Sequence, residues 1–501
     1  MLFYVIKEGL YQEKVERMFP TPPDWSFLSR WDLRCARALQ NPERMGKIAT
    51  DWAAVGAYYR ELVPRLEDEG VDGKGLVKDV GGEGEGGIVV DGVGQVGFDV
   101  SGMSEPWKKG YFEALMGAAE AAEKLDGWVF DPKRKVVSPR EYVVTKENAA
   151  RPPRPPPGKK LADLPREEDC VEAFQSPEVY YLKILTTRGF RTNQKLDAAL
   201  AYADWLDYKG LKETAGDVYR WAMDIAASGL AVDAKQVVDV KTGILKDKGL
   251  QHVSDNLLRA STALGVHEVR RGDLTQALSI FLSVLRARRS LPAPPPPSPS
   301  QPEPADIPKQ GLLTQLADFF KSRPYPIPNT TGDEPPFRTH ASACEEAGLM
   351  VYIGEIIYAS SSPEHGLSWT RDAVDTAELA ILQLSDEDDS NTQSIPFGMQ
   401  FSTAQERCQD CLKTGLDNWK KMVRKLVVRA ENEELAAMDA ASGERWWWFG
   451  RGKRTVREKM MARKRWEAEE MILMERARGV SRLIGDQGMA AVAAGSAVLL
   501  R

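Results

Sequence analysis

The clearest structural signal in the chain lies at residues 199–226, whose sequence is ALAYADWLDYKGLKETAGDVYRWAMDIA. Apolar and small residues recur there at three- and four-residue steps, which is the period of one face of an α-helix. The pattern is interrupted once, at Gly210, where a first helix ends and a second begins. Small residues in both halves allow the two helices to pack closely, so the stretch predicts a helix–turn–helix pair.

The same helix-pair pattern recurs at 261–288 and 349–380. Residues 52–59 match its first helix, with 109–125 as the candidate second helix. Such self-similarity indicates a repeat architecture. The positions expected to pack the pairs are small or aromatic: Trp52, Gly56, Ala203, Gly210, Ala215, Tyr219, Gly265, Ala277, Phe281 and Gly354. This spacing is typical of tetratricopeptide repeats. We therefore expect an all-α superhelix of helix pairs with two Pro-rich disordered linkers, and a helical bundle without repeats is the alternative.

Domain boundaries are expected where the helical period gives way to Gly- or Pro-rich sequence. These regions are an N-terminal segment at 1–23, a helical repeat region at 24–127 with a Gly-rich insertion at 70–104, a Pro-rich linker at 128–172, tetratricopeptide repeats at 173–291, a Pro-rich linker with a short helix at 292–335, tetratricopeptide-like repeats at 336–441, and a Trp/basic segment with a charged C-terminal helix at 442–501. Within 173–291 we expect helices throughout, including one more helix at 235–248.

Composition and charge favour a protein-binding function. Apolar residues make up 43% and charged residues 28% of the 501 residues, which is ordinary for a globular protein. A net charge of −6 gives no global positive field that would attract nucleic acid. Five cysteines do not form a disulfide framework, and their odd number predicts reduced thiols. Only four histidines are present, and no nucleophile–base set, phosphate loop or metal motif emerges, so we expect no enzyme, cofactor or metal.

Three motifs invite a more specific interpretation. Gly92–Gly97 fits G-x-G-x-x-G, but the residues after it form helices poorly, which favours a loop or small hairpin over a dinucleotide site. Cys408 and Cys411 could join His340 and Cys344 around zinc, although a helical context favours cysteines that pack between helices.

The third motif is an aromatic run, Trp446, Trp447 and Trp448, followed by several cations. We expect it to cap the apolar end of the superhelix, with membrane-surface contact as the alternative and nucleic acid as a weaker one. No stretch of the sequence approaches the roughly 20 apolar residues of a membrane-spanning helix.

The concave surface of a helix-pair superhelix is lined by first-helix residues between the packing positions. Those residues are Asp197, Asp204, Asp207, Tyr208, Arg259, Arg270, Glu355 and Tyr358. This set is mixed, with an acidic stretch early in the chain. We therefore hypothesise a protein-binding groove for an extended or unfolded segment that is basic or apolar; the alternative is a merely solvated face.

Several runs resemble fungal mitochondrial tetratricopeptide proteins, a family that includes inner-membrane adaptors of the i-AAA protease. The runs are CEEAGLMVYIGEIIY at 344–358, GLSWTRDAV at 366–374, KGYFEAL at 109–115 and the tail at 466–486. The resemblance implies a helical domain in the intermembrane space that delivers unfolded proteins to a membrane AAA protease. It also implies an N-terminal transmembrane helix, which this sequence does not show; either the sequence begins after that helix or the placement in this membrane is wrong.

Two other functions fit the same sequence features. An organelle assembly or import scaffold would use the same groove. An RNA-binding helical repeat is a further possibility, which the acidic net charge and the lack of a regular basic stripe disfavour.

Overall fold

The computed structural model describes residues 11–41, 49–78, 97–155, 158, 160–295, 325–326, 330–390, 402–443 and 449–497. These residues are mostly helical, which confirms the main part of the predicted fold class. Three small antiparallel sheets also lie in this part of the chain, and the first pairs β1 (Val77–Lys78) with β2 (Phe98–Asp99). The chain divides into two compact units: the first comprises Met1–Ala231, Ser254–Ala263 and Pro297–Glu334, and the second comprises Val232–Val253, Leu264–Pro296 and Pro335–Arg501.

The first unit is built from six complete helices in its described ranges. They are α1 (Phe27–Gln40), α2 (Trp52–Glu67), α3 (Glu105–Lys124), α4 (Pro177–Thr186), α5 (Thr192–Tyr208) and α6 (Lys212–Ser228). Local sequence sets where α2 and α3 begin. Asp51 accepts a hydrogen bond from the Ala54 amide, and the Ser104 hydroxyl accepts one from the Trp107 amide, so each side chain caps its helix.

Small residues let the helices of this unit approach closely. The ring of Tyr59 on α2 lies directly over Gly117 on α3, so closely that a Cβ at Gly117 would clash with the tyrosine hydroxyl. Ala203 on α5 and Ala215 on α6 are both completely buried where these two helices pack. Apolar burial of this kind is the main source of stability for helices that are short by themselves.

Residues 128–172, which were expected to be a Pro-rich linker, instead contain a three-stranded antiparallel sheet. Strands β3 (Trp128–Asp131), β4 (Val136–Pro139) and β5 (Val171–Glu172) lie in the order β4-β3-β5. The prediction was wrong because polar turn residues hide the alternation. The Asp131 carboxylate accepts hydrogen bonds from the Lys133 and Arg134 amides, which closes the turn between β3 and β4.

The second unit contains longer helices. The short α7 (Ala234–Val237) comes first. It is followed by α8 (Asp255–Arg271), α9 (Leu274–Arg289), α10 (His340–Ser360), α11 (Pro363–Ser390), α12 (Ser402–Gly443) and α13 (Phe449–Ala497). The first half of α8 belongs to the first unit. Helices α10 and α11 meet at Gly354, where a Cβ would lie 2.6 Å from the Thr370 hydroxyl. Ala347, Ala377, Leu412 and Trp466 bury their side chains in one core that joins α10 to α13.

Helices α12 and α13 run antiparallel and are joined by ion pairs. Lys459 lies 2.7 Å from Glu433, and Arg463 lies 2.6 Å from Glu434. Further along, the indole N–H of Trp419 donates a hydrogen bond to Glu469. Opposite charges on facing helix edges fix the register of such a pair.

Residues 235–248 were expected to hold one more helix, and this prediction was wrong. After α7, the chain forms a hairpin of β6 (Val238–Asp239) and β7 (Ile244–Leu245). Two features explain the hairpin. The β-branched run around Val238 favours an extended backbone, and Gly243 adopts a positive φ of 72° in the turn.

Cysteine usage also differs from the expectation of reduced thiols. Cys344 of α10 and Cys408 of α12 form a disulfide with their Cα atoms 5.0 Å apart. Cys35, Cys170 and Cys411 are free. The sequence could not show this pairing because the partners are 64 residues apart and only the fold brings them together.

Candidate functional site

A cavity of about 1130 Å³ in the first unit is lined by aromatic and charged side chains. The aromatic residues that line it are Phe19, Tyr59, Phe112, Trp128, Tyr181, Trp205 and Tyr208. Behind this wall, Tyr202 stacks on Tyr181 and on Trp205, with ring centroids 5.7 and 6.3 Å apart respectively. Stacked, buried rings give the wall a rigid surface.

Acidic side chains dominate the polar part of the cavity. Among its described lining residues, six carry carboxylates and two carry cations: Glu113, Glu120, Glu123, Asp126, Asp197 and Asp204, against Arg37 and Lys124. The helical period explains the arrangement, because glutamates of α3 recur on one helix face and Asp197 and Asp204 lie two turns apart on α5. The two helices therefore present carboxylates to the same space.

Glu123 lies within a group of like charges. The hydroxyl of Tyr181 donates a 2.7 Å hydrogen bond to its carboxylate. Burial raises the pKa of Glu123, the charges of Glu120 and Asp204 act in the same direction, and the Tyr181 hydrogen bond and Lys124 only partly oppose them. Burial likewise raises the pKa of Glu120. A cation bound here would relieve this repulsion.

Several carboxylates of the cavity form ion pairs within the first unit. Arg37 contacts Glu113, and Arg259 contacts Asp197. Lys209 lies 2.6 Å from Asp126 at a more exposed position. Glu123 lies close enough to Glu120 and Asp204 for both of their charges to raise its pKa.

The cavity includes only part of the groove predicted from the sequence. Asp197, Asp204 and Tyr208 line it, whereas Asp207 does not, and Arg259 contributes through Asp197. The other three predicted residues belong to the second unit. Arg270 influences Tyr352 electrostatically, Glu355 accepts a hydrogen bond from Asn418, and the Tyr358 hydroxyl donates to the Met422 carbonyl.

The predicted packing positions lie mostly in the interior. Ala203, Ala215, Tyr219, Ala277 and Phe281 are buried, and Phe281 packs over Gly265, where a Cβ would lie 2.6 Å from its ring. Gly56 faces Leu125 and Phe174, and Gly210 takes a positive φ of 80° directly after α5. Trp52 is half-buried, with the Lys124 ammonium 5.9 Å from its ring centre.

Sequence reasoning missed the α3 side of the cavity. Glu113, Glu120 and Glu123, together with Tyr59 and Tyr181, were not among the predicted groove residues. A signal was present, because the three glutamates fall on one face of a helix whose other faces are rich in alanine and glycine.

The remaining sequence motifs are not among the described residues that line this site. Residues 92–96 of the glycine motif and Trp446, Trp447 and Trp448 lie outside the described residues. Cys408 is bonded to Cys344, and burial raises the pKa of Cys411 to about 11. Within the described ranges, no three histidine, cysteine or acidic side chains are grouped as metal ligands. No described helix has both the length and the apolar character to cross a membrane.

Comparison with protein-family models, with curated proteins and with solved structures found no match to this chain.

Proposed function

We propose that this chain is a non-catalytic, protein-binding scaffold of tetratricopeptide-like helix pairs, and that the first unit binds a basic, extended segment of a partner protein. The observation that carries the proposal is that Glu120, Glu123 and Asp204 lie close together in a cavity that aromatic side chains also line. Helix pairs packed through glycine and alanine support the repeat assignment.

The chemistry of the cavity fits a lysine or arginine side chain. A cation placed near Glu120, Glu123 and Asp204 would neutralise their negative charge and lower the raised pKa of Glu120 and Glu123. Tyr181 and Trp205 line the cavity together with these carboxylates, and aromatic rings also attract a cation. Carboxylates and rings together therefore favour a basic side chain over an acidic or purely apolar one.

The size of the cavity fits a peptide. Its volume of about 1130 Å³ exceeds the roughly 300–1,000 Å³ of ordinary small-molecule pockets. The lining residues come from α1 to α5 and from the start of β3, so a ligand that reached both ends would contact several elements. An extended chain with basic side chains at intervals meets these conditions.

The test is the affinity of the full chain for a labelled Lys- and Arg-rich peptide, measured by fluorescence anisotropy. Reversing two charges with Glu123→Lys and Asp204→Lys should weaken binding by about 100-fold, since each close charge pair contributes on the order of 1.5 kcal/mol or more. Asp217→Lys is the matched control, because this exposed aspartate of α6 pairs with Arg220 and does not line the cavity.

A glutamate-rich peptide of equal length tests whether binding depends on the sign of the charge. Equal affinity for the two peptides, or equal loss in the Asp217→Lys control, would contradict the proposal.

The resemblance of CEEAGLMVYIGEIIY and its neighbouring runs supplies a candidate context for the partner. We propose on that basis that the bound segment belongs to unfolded proteins delivered to a mitochondrial membrane AAA protease, with an assembly or import scaffold as the alternative. Crosslinking capture from mitochondria should recover such a protease with the wild type and lose it with Glu123→Lys, Asp204→Lys. Recovery of RNA-bound proteins alone would remove this context while leaving the peptide-binding proposal intact.

A further inference from the structure

One residue of the Pro-rich stretch between α9 and α10 lies against the margin of the cavity. Tyr325 belongs to the first unit, is partly buried, and donates its hydroxyl to the Glu113 carboxylate. The ammonium of Lys109 lies 5.3 Å from the centre of its ring. Arg37, which is paired with Glu113, acts electrostatically on the Tyr325 hydroxyl. A carboxylate, two cations and a phenol thus meet at one place.

Described residues further along the same stretch are fixed to the first unit by hydrogen bonds. The side-chain amides of Asn193 and Asn256 donate to the carbonyls of Thr330 and Thr331, at 2.9 Å each. Asn256 is completely buried, and its amide also donates to Asp333 at 3.0 Å. The chain is therefore held to this unit a few residues after Tyr325, which keeps the tyrosine close to its contacts at high effective concentration.

We infer that Arg37, Lys109 and Glu113 form a subsite for a tyrosine side chain, that Tyr325 of the same chain occupies this subsite, and that it competes with the incoming partner segment. The inference rests on the proposed function, because Arg37 and Glu113 also line the cavity. A basic side chain that approaches Glu113 must replace the hydrogen bond from Tyr325. The partner therefore binds only the fraction of molecules in which Tyr325 has left the subsite.

The first test compares Tyr325→Ala and Tyr325→Phe with the wild type in binding the Lys- and Arg-rich peptide. Tyr325→Ala should bind about tenfold more tightly if the subsite is about nine-tenths occupied. Tyr325→Phe keeps the ring against Lys109 but loses the hydroxyl, so its gain should be smaller, about threefold. Tyr142→Ala, in the first unit and outside the cavity, should leave affinity unchanged.

The direction in which peptide affinity changes distinguishes a competing role of Tyr325 from a purely structural one. Loss of a residue that only stabilises the fold would weaken peptide binding, whereas loss of a competitor strengthens it. Unchanged or weaker binding by Tyr325→Ala, in a wild type that binds the peptide, overturns the inference and leaves the proposed function standing.

A second measurement does not depend on the peptide. Tyr325 should react with tetranitromethane much more slowly than Tyr208, which is 86% exposed, because burial and the neighbouring carboxylate raise the pKa of the Tyr325 phenol. Glu113→Gln should speed nitration of Tyr325 and leave Tyr208 unchanged. If Tyr325 in the wild type reacts as fast as Tyr208, the subsite is not occupied and the inference fails. If no variant binds the peptide but Tyr325 is protected in this way, the proposed function fails and the tyrosine subsite stands.

Discussion

Carboxylates have different surroundings in the two units. In the second unit, the Glu346 side chain is only 3% exposed, and Arg338 donates to both of its oxygens at 2.9 and 3.0 Å. In the first unit, Glu123 faces Glu120 and Asp204, and burial raises its pKa. Buried charges are tolerated where the protein supplies a counter-charge and cost stability where it does not. The comparison teaches that Glu346 is neutralised by an arginine of its own unit, whereas Glu123 lies beside two further acids, where an external cation would be attracted.

The largest expected effect tests whether the two units function separately. Ala215 on α6 and Ala377 on α11 are both completely buried, one in each unit. Ala215→Arg and Ala377→Arg each force a long charged side chain into a packed core, at an expected cost of about 3–5 kcal/mol. Urea unfolding should show this loss in both variants. Peptide binding should disappear in Ala215→Arg and persist in Ala377→Arg; loss of binding in both would break the comparison.

A smaller effect is expected from the disulfide of the second unit. The bond between Cys344 and Cys408 closes a loop of 64 residues, for which the chain-entropy model gives about 4 kcal/mol. Cys408→Ser should therefore lower the thermal stability of the second unit by at most this amount, and a reductant should do the same to the wild type. Cys170→Ser in the first unit is the control and should change neither stability nor reductant response. If reduction instead abolished peptide binding, the site could not be assigned to the first unit alone.

The sequence was sufficient to predict most of the helices, because their apolar period is local information. Residues 199–226 predicted two helices, and the structure has α5 and α6 there, with Gly210 between them at a positive φ. The predictions from sequence were wrong where short strands are joined by polar turns. The Asp131 turn depends on two hydrogen bonds to one carboxylate, and the hairpin at Gly243 depends on the φ of one residue. Neither feature leaves a periodic signal in the sequence.

The candidate site could be predicted only in part for a different reason. Asp197, Asp204 and Tyr208 were found because they share one helix, α5. Glu123 and Tyr181 were missed because their importance depends on packing between α3 and α4, which brings residues 58 positions apart into hydrogen-bonding distance. The same limit hid the disulfide. Contacts between distant helices are set by tertiary packing, and the sequence pattern of one helix does not predict them.

The smallest expected effect concerns one glutamate in each unit. Replacing each with glutamine should change the stability of the chain in opposite directions. Glu123→Gln removes a charge that burial disfavours, so the free chain should become slightly more stable at neutral pH. Glu433→Gln in the second unit removes a carboxylate whose pKa is lowered by hydrogen bonds from Lys459 and Arg429, at 2.7 and 3.0 Å, so the chain should become slightly less stable. The Glu433 side chain is 39% exposed, and screening by water keeps its effect small.

The pH dependence follows from the direction of each shift. The folded pKa of Glu123 lies above its unfolded value, so protonation favours the folded state; that contribution is fully present below the unfolded pKa and disappears as pH rises through the folded pKa. The folded pKa of Glu433 lies below its unfolded value, so its contribution is present above the unfolded pKa and disappears as pH falls through the folded one.

Thermal melts of wild type and both variants at neutral and at acidic pH check this prediction. The gain from Glu123→Gln should be less than about 1 kcal/mol, because this half-exposed group is screened by water, and it should vanish below the unfolded pKa of about 4.3. The same variant should bind the basic peptide more weakly at neutral pH. Greater stability together with weaker binding is expected of a charge retained for a ligand, and a loss of both would instead assign Glu123 to the fold.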